Sequence, residues 1–356
     1  MDETVFSADP TRDLPYALGG PVVTGVLRQT PEDFIVVEEL GYGPSGDGEH
    51  EFLTVRKRER NTHEVARELA KLAGVGQVAV GYAGLKDRNA VTTQHFTVQL
   101  PGREAPDWRS IEDDSLQILD AQRHNRKIRR GSLRGNRFEI TVHSVGGDRD
   151  LAEQRLRQIG ESGVPNYFGT QRFGREGQNL ARADALFAGR GRKPKREQRS
   201  LLLSAARSQL FNQVLAARVA AGTWDAAMDG DVLLLAGAMR QFMHDPDDAS
   251  IAERIAVRDI HPSGPLCGRS SRALLPAGEV LLLEQQALAD WQHWIDGLQR
   301  FGLDADRRAL RLVVDDLTWR WQDDALALSF GLTSGAYATS VLRELVSEPQ
   351  RAASIS

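Results

Sequence analysis

The chain has 356 residues, 41% of them hydrophobic and 26% charged, with a formal net charge of −4. That length suits two domains or one elaborated one, and no apolar run approaches the length that spans a bilayer. The single cysteine, Cys267, excludes internal disulfides and cysteine-based zinc clusters and fits a reducing cytoplasm. The start, MDETVFSADPTRD, is acidic and has no apolar core, so no secretion signal is expected.

In chain order, PEDFIVVEEL (31–40) predicts a strand and EFLTVRK (51–57) its partner, with Gly-rich GYGPSGDGEH as the turn or short loop between them. Asn61 and Glu64 form a capping-box pattern. Val65, Leu69 and Leu72 then recur at helical spacing until Gly74. GYAGLKDRNAVTTQHFTVQ (81–99) ends in a strand where Phe96, Val98 and Leu100 alternate, an arrangement that presents Asp87 at the edge of a sheet. NRFEITVH (136–143) alternates likewise, and 151–159 predicts a helix.

Past Asn166 the texture changes. Leu210, Phe211, Val214, Leu215 and Val219 mark an amphipathic helix ending at Gly222, and 222–285 reads as short strands and Gly/Pro turns, HPSGPLCG (261–268) among them. A helix carries Leu288, Trp291, Ile295 and Leu298, and two strands surround Trp319 and Trp321. Thr339 or Ser340 caps a last helix bearing Val341, Leu342, Leu345 and Val346. Helices do not recur between strands as a doubly wound parallel sheet requires. The expected class is therefore α/β in the α+β sense, a mixed, largely antiparallel sheet with helices packed against it.

A net negative charge argues against a nucleic-acid partner, but the charge is unevenly spread. Arg123, Arg126, Lys127, Arg129, Arg130, Arg134 and Arg137 form one run without an acid, and Arg190, Arg192, Lys193, Lys195, Arg196 and Arg199 a second opposed only by Glu197. Either run alone reads equally well as a solvated loop. Together, on an acidic body, they favour a phosphate backbone. VPNYFGTQRFGREGQN (164–179) interleaves Tyr167, Phe168 and Phe173 with Arg172 and Arg175, a pattern that suits phosphate contact and base stacking or, alternatively, a buried aromatic turn. Asn136 and Phe138 share a strand face. Phe138 is in phase with Ile140 and Val142, which favours a core role, and Tyr337 in its glycine-bounded turn reads first as structural packing.

Asp87 stands between Lys86 and Arg88. The triplet alone is most simply a solvated turn. No GxxxxGK[ST] loop, GxSxG elbow or metal-type histidine spacing occurs, and Gly74-Val75-Gly76 follows a helix where a dinucleotide fingerprint needs a strand. No metal or cofactor is called for, and any catalysis falls to a carboxylate or to general acid/base chemistry. A catalytic Asp87 would need a cation to stay ionised if partly buried; Lys86, Arg88 and a more distant arginine all remain open for that place.

PEDFIVVEEL, NTHEVARELA, GYAGLKDRNAVTTQHF, RGNRF, VPNYFGTQRFG, SQLFNQVLAAR, SGPLCG and SGAYATSVLREL, in this order from about residue 28 to 347, closely resemble the TruD family of tRNA pseudouridine synthases. The resemblance implies a pseudouridine-synthase catalytic domain at 1–164 and 304–356, interrupted by an inserted α/β domain at 165–303. It implies isomerisation of uridine 13 of tRNA, without metal or cofactor; the protein itself is expected in the cytoplasm, as a monomer with no protein partner. The family's catalytic aspartate falls on Asp87, its active-site asparagine and phenylalanine on Asn136 and Phe138, and a C-terminal aromatic, phenylalanine in relatives, on Tyr337. Lys86 and Arg88 then flank the substrate, and Arg126, Lys127, Arg129, Arg130, Arg134, Arg172 and Arg175 are the expected RNA contacts. A non-catalytic RNA-binding protein would share the basic runs but leave Asp87 without a role. A carboxylate-based nucleosidase would release free uracil.

Overall fold

The computed structural model describes residues 6–238, 240–270 and 273–348; the first five residues of the acidic start lie outside this part. Chain contacts divide it into two compact units. One comprises Val22–Ala152, Val314–Gly335 and the described residues from Val346; the other comprises the described residues to Pro21, Glu153–Val313 and Ala336–Leu345.

The first unit is built on a ten-stranded mixed sheet. Its main path runs Asp315–Gln322, Ala325–Thr333, Gly135–Gly147, Phe34–Glu39, Val91–Gln99, His50–Arg58, Leu116–His124. Along that path only Phe34–Glu39 and Val91–Gln99 pair parallel; the other neighbours are antiparallel. Val80–Tyr82 adds antiparallel to Val91–Gln99, and Val23–Leu27 pairs with Gly135–Gly147 and, parallel, with Val346–Ser347. Alternation sends Leu53, Val55, Phe96 and Val98 to one face, where they meet Val65 and Leu69 of helix Thr62–Leu72. That helix starts where expected. Glu64 Oε2 reaches back to accept the Asn61 backbone N–H at 2.9 Å, and Gly74 takes the left-handed backbone (φ +62°) just past the end.

Several expectations about this sheet are corrected. Phe34–Glu39 does not pair with His50–Arg58, because Val91–Gln99 lies between them. The connection from residue 40 to 49 is no hairpin: it is drawn onto Leu116–His124, with Gly46 N–H on Arg123 O at 2.9 Å and Ser45 N–H on His124 Nδ1 at 3.1 Å. Asp87 accordingly leads into a central strand rather than an edge. Pro31–Asp33 is a 3-10 turn, and the strand begins only at Phe34.

The second unit carries a four-stranded antiparallel sheet in the order Gln241–Met243, Val232–Leu235, Ile260–Leu266, Asp306–Ala309. Helices Gln178–Phe187, Arg196–Ala220 and Gln292–Arg300 contribute Phe187, Leu210, Phe211, Leu215, Trp294 and Leu298 to one core. HPSGPLCG is largely strand, not turn. Residues 260–262 pair with one neighbour and 263–266 with the other, and the Pro262 carbonyl also accepts the Leu310 N–H at 2.9 Å. The stretch expected to hold strands and turns also contains helices Ser250–Ala256 and Gly278–Ala287, and the helix predicted around Leu288 breaks into Ala289–Trp291 and Gln292–Arg300. The last helix, Ala338–Leu342, is five residues long with Tyr337 at its N-cap. Val346 instead pairs as a strand with Val23, tertiary pairing overriding the helical spacing. The architecture is α+β, a mixed, largely antiparallel sheet with a flanking helix plus a second α/β unit.

Candidate active site

Strand register gathers the polar groups. Lys57 lies opposite Thr92, Thr92 opposite Val36, Val36 opposite Phe138, and Phe138 opposite Phe330, so one row crosses five strands on one face. In the next row Asn136 lies opposite Glu38 and Leu332. Lys57, Glu38, Asn136 and Phe138 therefore share a face because each is in phase with it, and all four are buried.

The loop between Val80–Tyr82 and Val91–Gln99 lies over this face and carries Asp87. Three buried side chains hold it. Thr62 Oγ accepts the Lys86 N–H at 3.0 Å, Gln94 Nε2 donates to Gly84 O at 2.6 Å, and Lys57 Nζ donates to Asp87 O at 3.0 Å and to Arg60 O at 2.7 Å. Thr62 and Gln94 are also bonded to each other at 3.0 Å. Burial pulls Lys57 down to about 8, against the attraction of Asp87 and with the repulsion of Lys86.

The Asp87 carboxylate is one-third exposed and faces two donors. Arg28 Nη1 lies 2.8 Å from Oδ2, and Asn89 N–H donates to Oδ1 at 3.1 Å. Arg28 is the distant arginine that local sequence could not name. It holds a left-handed backbone (φ +56°) and lays its guanidinium 4.1 Å from the centre of the Phe34 ring, an uncommon conformation that marks a constrained position.

The two neighbours of Asp87 go elsewhere. Lys86 turns under the loop, where its Nζ donates to Asn136 Oδ1 and lies 3.3 Å from Glu38 Oε1. Its side chain is 6% exposed and that of Glu38 0%, so this is a buried pair, and burial lowers Lys86 despite the Glu38 charge. Burial would raise Glu38, but hydrogen bonds from the His95 ring and backbone and the charge of Lys86 outweigh it, and its carboxyl sits below the ordinary value. Arg88 is exposed and donates to Glu59 O at 3.4 Å. Neither flanking cation is the partner of Asp87.

Asn136 is thus tied to the loop through Lys86. Phe138 is 7% exposed, stacked on Phe330 (5.5 Å, 26°) and edge-on to Phe34 (6.0 Å, 72°). Of the first basic run, Arg126, Arg129, Arg130 and Arg134 are exposed. Arg126 covers the Tyr42 ring at 4.7 Å, and Lys127 Nζ donates to Val78 O. The run is fastened beside the Asp87 loop by Gly131 N–H on Ala83 O at 3.1 Å. Its flanking members are spoken for, Arg123 by Glu51 (3.5 Å) and Arg137 by Asp316 (2.9 Å).

Tyr337, Arg172 and Arg175 belong to the second unit. There Tyr337 meets Phe168 edge-on at 6.1 Å, and the Arg172 guanidinium lies 5.3 Å from the Phe168 ring and 5.8 Å from that of Tyr337. Gly169 permits this, since a Cβ there would stand 2.8 Å from Thr339 Oγ. Arg172 also donates to Ser204 Oγ at 3.1 Å, while Arg175 is exposed beside Glu176. Arg190 of the second basic run pairs with Asp184 at 2.8 Å, and the run's last residues begin helix Arg196–Ala220.

A mixed sheet that offers one aspartate at the mouth of a central strand, beside a basic loop and over a buried polar row, is the pseudouridine-synthase class of fold. The crystal structure of a Methanosarcina mazei protein assigned to tRNA pseudouridine synthase D superposes with a TM-score of 0.71, covering 95% of this chain and 97% of that one at 20% identity, a likeness of fold. The family model described as tRNA pseudouridine synthase D (TruD) matches residues 14–189 and 178–345. Among curated relatives, tRNA pseudouridine synthase D of Methylococcus capsulatus is 49% identical over 340 residues, 95% of this chain and 96% of the relative. That of Nitrosococcus oceani is 47% identical, covering 96% of each. The chain belongs to the tRNA pseudouridine synthase D family.

Proposed function

We propose that this protein isomerises uridine 13 of tRNA to pseudouridine, with Asp87 as the essential carboxylate. The observation that carries the reading is the setting of Asp87. It is a one-third-exposed carboxylate in a loop pinned by Thr62, Gln94 and Lys57, with Arg28 at 2.8 Å on one oxygen and the other oxygen turned to the Asn89 amide. Residues 1–164 and 304–356 form the catalytic part of this account and 165–303 the insertion.

Uridine must leave its stack to expose the glycosidic bond. Asp87 then acts on uracil C6, on ribose C1′, or as base on a ribose proton. The N1–C1′ bond breaks, the base turns, C5 bonds to C1′, and the C5 proton departs while N1 gains one, so substrate and product are isomers. Asn136 gives its Oδ1 to Lys86, which leaves Nδ2 to donate to a uracil oxygen. Phe138, held by Phe34 and Phe330, shapes the seat of the ring, and Tyr337 is the second aromatic this reading assigns to substrate binding. Lys86 holds Asn136 in place, and Arg88 with Arg126, Lys127, Arg129, Arg130, Arg134, Arg172 and Arg175 takes tRNA phosphates. The protein acts in the cytoplasm as a monomer, and no metal or cofactor enters any step.

The test is incubation with an unmodified tRNA transcript carrying 5-³H-uridine, followed by position mapping. Tritium release with pseudouridine at position 13 supports the reading. Free uracil would instead identify a nucleosidase, and tight tRNA binding with neither product would leave an RNA-binding protein.

A further inference from the structure

Beside the Asp87 loop, a cleft of about 540 Å³ opens between the first basic run and the start of helix Thr62–Leu72. Its size lies within the range of small-ligand sites. The apolar part of its lining is Ala66, Val78, Val80 and Ile128, the aromatic part His63 and Tyr82, and the cationic part Lys127, Arg129 and Arg130. Among the described residues, no carboxylate lines it.

The cleft is built, not incidental. Its floor depends on Gly81, where a Cβ would stand 2.5 Å from Ile128 O and 2.7 Å from Lys127 Cγ. Ile128 N–H bonds Thr97 Oγ at 3.0 Å, and Lys127 Nζ closes on Val78 O. The Tyr82 hydroxyl bonds His63 Nδ1 at 3.0 Å, with the two rings edge-on at 83°. Against this fixed frame, the guanidinium groups of Arg129 and Arg130 have no hydrogen-bond or ion-pair partner among the described residues. Val78 is 85% exposed at the rim. An apolar shelf, a fixed aromatic pair and two unengaged guanidinium groups without an opposing acid match a flat, uncharged ring joined to an anion.

We infer that the cleft seats a second unpaired nucleotide of the same tRNA, its base against Tyr82 and His63 and its phosphate on Arg129 and Arg130. The inference rests on the proposed function for the identity of the RNA. Tyr82 and Asp87 stand five positions apart in the chain, which puts their Cα atoms no more than about 18 Å apart, so the occupant is a near neighbour of the target uridine. Stacking on the aromatic pair tolerates any base, so the cleft registers the strand rather than reading its sequence.

The experiment is a double-mutant cycle. Equilibrium binding is measured for wild type and Tyr82→Leu with tRNA transcripts that carry single abasic nucleotides at each unpaired position within five of the target. At one position, abasic replacement should weaken binding to wild type about tenfold, the scale of one lost stack, and to Tyr82→Leu less than twofold. Equal losses in both proteins at every position would overturn the inference. If thermal melting shows Tyr82→Leu to be unfolded, the exposed His63→Ala serves in the same cycle with the same two outcomes. Failure here differs from failure of the proposed function. Wild type making pseudouridine while the cycle is additive removes only the second seat, whereas a coupled position in a protein that makes no pseudouridine keeps the seat and removes the reaction.

Discussion

Asp87 shows how much a single residue's surroundings decide. Its two sequence neighbours are cations, yet neither pairs with it: Lys86 is committed to Glu38 and Asn136, and Arg88 to a backbone carbonyl. The partner, Arg28, lies 59 positions away, a separation no local pattern can report. Lys57 and Glu38, by contrast, were legible. Lys57 is in phase with Leu53 and Val55, and Glu38 with Phe34 and Val36, so strand alternation alone puts a lysine and a glutamate on a buried face. Neither was singled out from the sequence, because charged strand residues are usually solvated. Lys57 has a measurable signature as a positioning residue. Its folded value of about 8 lies below the ordinary 10.5. Between these pH values the unfolded chain holds a proton that the folded protein has released, so this group makes stability rise with pH across that window. The full rise is on the order of 3 kcal/mol. Lys57→Met should flatten the difference in urea-unfolding stability between pH 7.5 and pH 10, and should lower turnover more than tRNA binding because Asp87 O loses its donor. An unchanged pH dependence would contradict the assignment.

Among elements, the capped helix and the alternating strands follow from local chemistry and appear at the expected places, whereas Trp319 and Trp321 lie within one strand, Asp315–Gln322, rather than between two. Strand partnership did not follow. The parallel pairing of Phe34–Glu39 with Val91–Gln99 is a long-range choice, and sequence proximity pointed to the wrong neighbour. The short final helix failed for the same reason, since Val346 is claimed by Val23. The element that joins fold to site is Val80–Tyr82, which supports the basic loop on one side and leads into the Asp87 loop on the other. Gly81 is the contact point, and an added Cβ there would meet the Ile128 backbone carbonyl at 2.5 Å, which cannot turn aside, as well as the Lys127 and Thr97 side chains. Gly81→Ala should therefore cost about 1–3 kcal/mol of stability, as overpacking does, measured by urea unfolding. A loss within error of zero would mean that the basic loop is not seated on this strand.

At the scale of the molecule, a net charge of −4 coexists with a concentrated cationic loop beside the carboxylate. Composition alone argued against an RNA partner; the distribution along the chain argued for one, and the fold sets Arg126, Lys127, Arg129 and Arg130 on one loop joined to that of Asp87. Replacing these four by alanine should weaken tRNA binding and reduce the slope of log K against log salt by up to about 3.6, at roughly 0.7–0.9 per phosphate contact. A slope equal to wild type would remove the loop from the RNA interface. Family membership was readable from the motifs because they are dense and span most of the chain. Each compact unit is assembled from separated stretches, and only contacts made after folding show which stretches belong together.

The central claim, that Asp87 carries the chemistry, is tested most directly by Asp87→Asn, assayed in parallel for tritium release from 5-³H-uridine tRNA and for equilibrium tRNA binding. The substitution keeps the shape and removes the charge. The account predicts no detectable pseudouridine, with binding within about threefold of wild type, since a difference below 1 kcal/mol is what one lost exposed ion pair produces. Turnover at a tenth of the wild-type rate, a barrier change of only about 1.4 kcal/mol, would contradict it.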